Sequence, residues 1–153
     1  MSEPKRKVYA WGNGIYGQLG TGDEIMNQNI PIEISELSKA KIKKIFAAFD
    51  NSAVLTYEND LLVWGKTRDG SIGSVNGGGT FNITVPALFP YSDKIEGEIK
   101  EVSIGREHGG LVTEDGKVYT WGIDMYDKLG HHGNSQDNIV INDSMLKYFI
   151  NFF

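Results

Sequence analysis

The sequence predicts an all-β protein built from β-propeller blades, and three observations carry this prediction. A thirteen-residue core occurs three times without a gap: VYAWGNGIYGQLG from Val8, LLVWGKTRDGSIG from Leu61 and VYTWGIDMYDKLG from Val118. The tryptophans of these cores lie 53 and 57 residues apart, a period typical of stacked or radial repeats. Short β-branched and aromatic runs alternate with glycine-rich stretches, as they do in propeller blades.

Ten short strands are predicted along the chain, each bounded by turn-forming residues. They run over residues 8–12, 30–34, 41–48, 52–57, 61–65, 85–89, 99–104, 110–113, 117–122 and 138–141. Asn59-Asp60 and Asp115-Gly116 stand between apolar runs and predict tight hairpin turns. Residues 35–44 leave room for one helical turn, so we expect no long helix.

The glycines of the first core also match the dinucleotide fingerprint G-x-G-x-x-G, from Gly12 to Gly17. That fingerprint requires a helix directly after it, and QLGTG at residues 18–22 is a poor helix start. The second core has Thr67 and the third has Asp124 in place of the middle glycine. We therefore predict that the repeated glycines lie where the backbone needs a positive φ angle or approaches another segment closely, and that they do not bind a nucleotide.

Composition narrows the classes of function. The 153 residues carry a net charge of −5, and acidic chains are poor ligands for nucleic acids or anionic membranes. The chain has no cysteine, which excludes disulfides and thiolate metal sites. No apolar run approaches the length of a membrane span, and the N-terminus MSEPKRK is not a secretion signal. We expect a cytoplasmic protein, with the cytoskeleton, the cilium and the nucleus as alternatives.

Candidate catalytic and metal-binding groups are few. His131 and His132 are adjacent, so a strand would point them to opposite faces. Asp124 and Asp127 follow the third tryptophan and fit a solvated loop better than a cation site. His108 is expected to be a hydrogen-bonded structural residue of its repeat. With no nucleophile–base arrangement, we expect a protein that is not an enzyme and uses no cofactor or metal.

The repeat extends beyond its core. Apolar residues precede two tryptophans at the same offsets: Ile42 and Ile45 before Trp64, and Ile99 and Val102 before Trp121. Gly105 and His108 are followed by Leu111-Val112-Thr113, whereas the preceding repeat holds Ala48 and Asn51 in the first two places. Because of the repeated core and these matching positions, residues 8–142 resemble the regulator of chromosome condensation repeat family.

The resemblance implies a seven-bladed β-propeller that serves as a binding platform. Family members exchange guanine nucleotide on a small GTPase, bind chromatin, or serve in ubiquitin ligases, ciliary proteins and light sensors. Seven repeats would need about 350 residues at this period, so we expect an open arc rather than a closed ring. About two and a half blades would occupy residues 8–142, between a polar tail at 1–7 and an apolar, non-repeat segment at 143–153.

An open arc leaves blade faces in water. One four-stranded face covers roughly 300 Å², and leaving it wet forfeits about 7 kcal/mol. That loss is comparable with the whole stability of a small domain, about 5–15 kcal/mol. We therefore expect a homo-oligomer or a larger complex in which protein partners cover the open ends. The apolar C-terminal segment folds back over a blade face, docks a partner or is an artefact of gene prediction.

The sequence thus predicts a scaffold that binds partner proteins, with exchange of nucleotide on a small GTPase and chromatin binding as alternatives. Candidate partner-binding residues are Tyr16, Gly17, Arg68, Asp69, Tyr126 and Asp127 in the loops, and Tyr148, Phe149 and Phe152 in the C-terminal segment. Candidate structural residues of the repeat are Trp11, Gly12, Gly20, Trp64, Gly65, Gly73, His108, Trp121, Gly122 and Gly130.

Overall fold

A computed structural model describes residues 7–22, 27–67, 70–73, 82–124, 126–130 and 139–142. The described residues contain ten strands, as predicted: β1 (Tyr9–Asn13), β2 (Asn27–Glu33), β3 (Ile42–Ala48), β4 (Asn51–Thr56), β5 (Leu61–Gly65), β6 (Ile83–Leu88), β7 (Ile99–Ile104), β8 (His108–Thr113), β9 (Val118–Gly122) and β10 (Ile139–Asn142). The largest shift is at β2, which begins at Asn27 because its pairing with β1 continues beyond the apolar residues, to Asn13.

The strands form three antiparallel sheets that follow one another along the chain. The first sheet, the half-blade, contains β1 and β2. The middle blade has the order β3-β4-β5-β6, and the last blade has the order β7-β8-β9-β10. The described residues therefore form an open arc of a propeller and not a closed ring, which confirms the predicted fold class.

The two complete blades meet along their inner strands, β3 and β7. Lys43 Nζ donates to Glu98 Oε1 at 3.2 Å, and Lys44 forms a salt bridge with Glu101. β1 holds the same place in the half-blade as β5 and β9 hold in the blades, since each carries the Trp-Gly pair of its core. The half-blade therefore lacks, among the described residues, counterparts of the inner strands β3–β4 and β7–β8.

Two apolar clusters hold the sheets together. One lies between the middle and last blades and includes Phe89 and Trp121, whose ring centroids are 4.6 Å apart. The other joins the half-blade to the middle blade through Val8, Ile34 and Trp64. Each cluster fills the space between successive sheets, so a blade face is buried only where another sheet covers it.

The turns follow the sequence prediction closely. Asn59 has φ +70° and Gly116 has φ +89° in the hairpins β4–β5 and β8–β9. One 3-10 turn, Ser35–Lys39, lies in the predicted stretch, and a second, Ser92–Lys94, was not predicted. Residues 14–22 form turns that lead towards β2, so no helix follows the glycine fingerprint there. No helix among the described residues has the length and apolar character to cross a membrane.

Candidate partner-binding surfaces

The repeated tryptophans mark where one sheet docks on the next. Trp64 Nε1 donates to the carbonyl oxygen of Gln18 at 2.8 Å, and Trp121 Nε1 donates to that of Ser71 at 2.8 Å. Gln18 and Ser71 hold the same position in their cores. Trp64 is 2% exposed and Trp121 is 0% exposed, whereas Trp11 is 64% exposed. The same residue in the same strand position is therefore buried only where a preceding sheet covers it.

The glycine after each tryptophan shows the same contrast. Gly12, Gly65 and Gly122 have φ angles of +106°, +113° and +113°, which disfavour any side chain. A Cβ at Gly65 would lie 2.3 Å from the Asp50 carbonyl oxygen, and one at Gly122 would lie 2.3 Å from that of Glu107. A Cβ at Gly12 would meet no atom of another described residue within 4 Å. The complete blades enclose this glycine, and the half-blade leaves it open.

The loops after the tryptophans form the same turn in all three repeats. Gly17, Gly70 and Asp127 have φ angles of +77°, +71° and +55°, and each accepts a hydrogen bond from the glycine three residues later, at 2.9, 3.0 and 3.1 Å. A Cβ at Gly17 would lie 2.9 Å from Thr84 Cα in the next sheet. Asp127 belongs to the last blade and is exposed. A side chain is therefore accepted where no described sheet packs on the loop.

A groove of about 460 Å³ runs between the half-blade and the inner part of the middle blade. Its walls come from β1, including Trp11, and from the stretch Ile45–Phe49 at the end of β3. Trp11, Ile45 and Phe49 are exposed apolar residues, and Asn51, which also lines the groove, is 3% exposed. The groove occupies the side of β1 on which the complete blades carry β4 and β8.

Exposed aromatic residues lie in several connections at one end of the sheets, the loop end, where the β1–β2, β3–β4, β5–β6, β7–β8 and β9–β10 connections lie. Phe49 has φ +39° in the β3–β4 turn, and the Arg106 guanidinium lies 5.9 Å from its ring. Lys66 Nζ lies 5.0 Å from the Tyr16 ring centre. Tyr126 has φ +67° and is 87% exposed. An aromatic residue in left-handed backbone is strained, and such strain is concentrated at functional sites.

The structure places four of the predicted partner-binding residues at this loop end. Tyr16 and Gly17 lie in the half-blade, and Tyr126 and Asp127 lie in the last blade. Gly17 has its close contact within the fold and is not a free surface. Arg68, Asp69, Tyr148, Phe149, Phe152, His131 and His132 lie outside the described residues.

Sequence reasoning missed Phe49, Arg106 and the groove. The signal for Phe49 was its place: an aromatic residue directly before Asp50 in a two-residue turn, where a polar residue is usual. The groove depends on which strands are absent from the first sheet and on how the sheets stack. Neither can be read from the local pattern of apolar residues.

His108 and Asp124, two of the candidate titratable residues, are described by their contacts within the fold. Burial lowers the pKa of His108 below its ordinary value of 6.5, and the positive charge of Lys128 lowers it further, against the opposing effect of Glu107. The expected hydrogen bond to its ring is not seen at Nδ1, which has no partner among the described residues. Asp124 Oδ1 accepts from Leu129 N at 3.0 Å and so shapes its loop. In the described part of the chain, no three His, Cys, Asp or Glu residues group as metal ligands.

The family model and the similar proteins found by comparison agree with one another. Residues 7–55 match the family model described as regulator of chromosome condensation (RCC1) repeat. The chain is 34% identical over 139 residues to the ultraviolet-B receptor UVR8 of Arabidopsis thaliana, covering 91% of the chain and 30% of that protein. It is 26% identical over 168 residues to the X-linked retinitis pigmentosa GTPase regulator homolog of Caenorhabditis elegans, covering 87% of the chain and 12% of that protein.

A solved structure shares the fold. Yeast RCC1 (Prp20), in its complex with Kap60, superposes with a TM-score of 0.69 and 22% identity over 86% of this chain and 31% of that chain. The chain thus spans less than a third of the length of each of these relatives.

Proposed function

Because the chain belongs to the regulator of chromosome condensation repeat family, we propose that it is a non-catalytic module that binds partner proteins within a larger assembly. The observation that carries this proposal is the group of exposed aromatic residues at the loop end, above all Phe49 and Tyr126 in left-handed backbone. Exposed aromatic residues supply much of the binding energy of protein interfaces.

The loop end also carries charge beside its aromatic rings. Arg106 lies near Phe49, and Lys66 lies near Tyr16. Aromatic residues and arginine are enriched at protein interfaces, where they anchor the buried centre of the contact. We therefore assign partner binding to the loop end.

Site-specific photo-crosslinking tests this assignment. A photoreactive amino acid replaces Tyr126 in the full chain, and a matched variant carries it at Tyr57, a 64% exposed tyrosine at the opposite end. We expect a discrete crosslinked partner from position 126 and none from position 57. The purified partner should then bind the chain, and Phe49→Ala should weaken that binding at least about tenfold. Equal crosslinking from both positions would contradict the proposal.

Assembly can be measured on the chain alone. Light scattering of the purified chain gives its mass, and we expect an oligomer at high concentration. A stable, well-folded monomer at that concentration would overturn the expectation that the open ends require protein partners.

The name of one relative favours a narrower alternative. The Caenorhabditis elegans protein is called a GTPase regulator homolog, which raises nucleotide exchange on a small GTPase as a second candidate function. A nucleotide-release assay with purified small GTPases separates nucleotide exchange from scaffold binding. Accelerated release of the nucleotide supports exchange. An unchanged release rate, from a chain that still binds its crosslinked partner, supports the scaffold. Chromatin binding fits less well with the net charge of −5.

A further inference from the structure

We propose that the groove beside β1 binds a β-hairpin of a partner protein, whose strand adds to the free edge of β1 and whose inner strand is acidic. This inference rests on the proposed function and specifies the chemistry of one partner. No strand pair among the described residues fills the groove, and the two complete blades show what fills the equivalent place.

The free edge of β1 is defined by its backbone. The carbonyl oxygen of Val8 accepts from Ile34 N at 2.9 Å, so Val8 faces β2. Backbone groups alternate in direction along a strand, and the N–H and C=O of Tyr9 therefore face away from β2. The residues equivalent to Tyr9 are Leu62 and Tyr119, which pair with Val54 in β4 and Leu111 in β8. Among the described residues β1 has no such partner strand.

The side chains around this edge specify an apolar strand with one small residue. Ser52 lies opposite Trp64, and Gly109 lies opposite Trp121. A Cβ at Gly109 would lie 2.5 Å from the Trp121 ring, so the position tolerates little bulk. By the same register, the incoming strand presents a small residue to Trp11. Trp11 and the exposed Ile45 then become buried on either side of it.

Charge specifies the second strand. Between the complete blades, Lys43 and Lys44 of β3 pair with Glu98 and Glu101 of β7. Ile42 and Ile99 are equivalent because they pair with Thr56 and Thr113. Lys41 therefore holds the place of Glu98, and it has no ion pair with another described residue. Lys44 holds the place of Glu101 but is already paired with Glu101 of β7, so Lys41 is the lysine that the inner strand of an occupant meets without a described counter-charge. A carboxylate at the occupant's position of Lys43 therefore fits, and lysines at its positions of Lys43 and Lys44 repel.

Two synthetic peptides test the proposal with the full chain. One copies residues 41–57, which span the β3–β4 hairpin, and the other carries Lys43→Glu and Lys44→Glu in the same copy. Neither peptide contains tryptophan, so fluorescence reports only the protein's indoles. We expect the charge-reversed peptide to bind at least about tenfold more tightly than the unaltered copy. Its binding should shift the emission of Trp11 to shorter wavelength, as the indole leaves water.

Protein variants locate the binding site. Tyr9→Pro removes the backbone donor of the free edge and should abolish binding, and Trp11→Ala should weaken it at least about tenfold without affecting the complete blades. Trp11→Phe should remove the spectral shift while calorimetry still detects the peptide. Ile30→Ala is the matched control, since Ile30 is also 64% exposed but lies on β2, outside the groove. It should bind the peptide like the unaltered chain.

Three outcomes would overturn the inference: equal affinity for the two peptides, no detectable binding of the charge-reversed peptide, or binding that survives both Tyr9→Pro and Trp11→Ala. None of these would remove a crosslinked partner from position 126, because Tyr126 lies in the last blade and away from the groove. Failure of the groove is thus distinguishable from failure of the proposed function.

Discussion

The half-blade and the last blade carry the same strand–Trp–Gly core in different surroundings. In the last blade, Trp121 packs against Phe89 and donates to the Ser71 carbonyl of the preceding loop. In the half-blade, Trp11 is largely exposed and lines the groove. The core alone therefore does not bury its tryptophan, because a strand pair buries one face only when another sheet covers it.

This contrast also separates two roles of one sequence motif. In the complete blades, the tryptophan docks its sheet on the preceding loop and the glycine is enclosed by its own blade. In the half-blade, the same tryptophan is largely exposed and the same glycine has open space around it. The same residue at equivalent positions of a repeat therefore contributes differently to the free energy of unfolding.

The largest expected effect is on stability after removal of an indole. Trp121→Ala deletes a fully buried side chain and should lower the free energy of unfolding by about 3–5 kcal/mol. Trp11→Ala deletes an exposed one and should change it by less than about 0.5 kcal/mol. Urea unfolding followed by circular dichroism measures both. Equal losses would show that the half-blade is covered in solution.

Glycine substitutions sharpen the contrast at the next position. Gly122→Ala meets both an unfavourable φ angle and the Glu107 carbonyl, whereas Gly12→Ala meets only the φ angle. We expect about 1–3 kcal/mol of destabilisation for Gly12→Ala and about 1–3 kcal/mol more for Gly122→Ala. Thermal unfolding of the two variants gives the comparison. A larger loss for Gly12→Ala would contradict the open site seen there.

A smaller effect separates the two buried tryptophans. Trp64→Phe leaves the Gln18 carbonyl with a second donor, because Ser52 Oγ also reaches it at 2.9 Å. Gly109 is the equivalent of Ser52 in the last blade and offers no side-chain donor to the Ser71 carbonyl. Trp121→Phe should therefore cost about 1 kcal/mol more than Trp64→Phe in chemical denaturation. Equal costs would mean that the indole hydrogen bond is not what distinguishes the sites.

The smallest expected effect depends on pH. The folded pKa of His108 is below its unfolded value of 6.5, so between these values the unfolded chain binds more protons. Stability should therefore fall as the pH drops below about 6.5. His108→Asn introduces the residue found at Asn51 in the middle blade and should flatten this part of the profile. Unfolding curves at several pH values test it, and an unchanged profile in the variant would rule out His108 as the cause.

The strands and turns could be predicted from the sequence because they depend on the alternation of apolar residues and on turn-forming residues that are close together along the chain. All ten strands, the hairpin at Asn59 and the absence of a helix after Gly17 followed from β-branched runs and glycine positions. Tyr16 and Tyr126 could be proposed as candidate partner-binding residues because the repeat places both in equivalent loops.

The groove and the exposed state of Trp11 could not be predicted in the same way. Trp11 and Trp121 stand in nearly identical local sequences, VYAWG and VYTWG. Their difference arises from which other sheet packs on them, and that contact involves residues about fifty positions away. The exposed Phe49 was missed for a related reason: its neighbour Arg106 belongs to a different blade.

The most direct test of the half-blade is amide hydrogen exchange at Tyr9 and Tyr119, which hold the same position in β1 and β9. We predict that the Tyr9 amide exchanges close to the rate of a free chain, because its N–H faces the unpaired edge. The Tyr119 amide should exchange on the order of 1,000 times more slowly, since it opens only with its blade. Equal protection of the two amides, measured at a dilution where light scattering shows a monomer, would contradict a half-blade with an open inner edge.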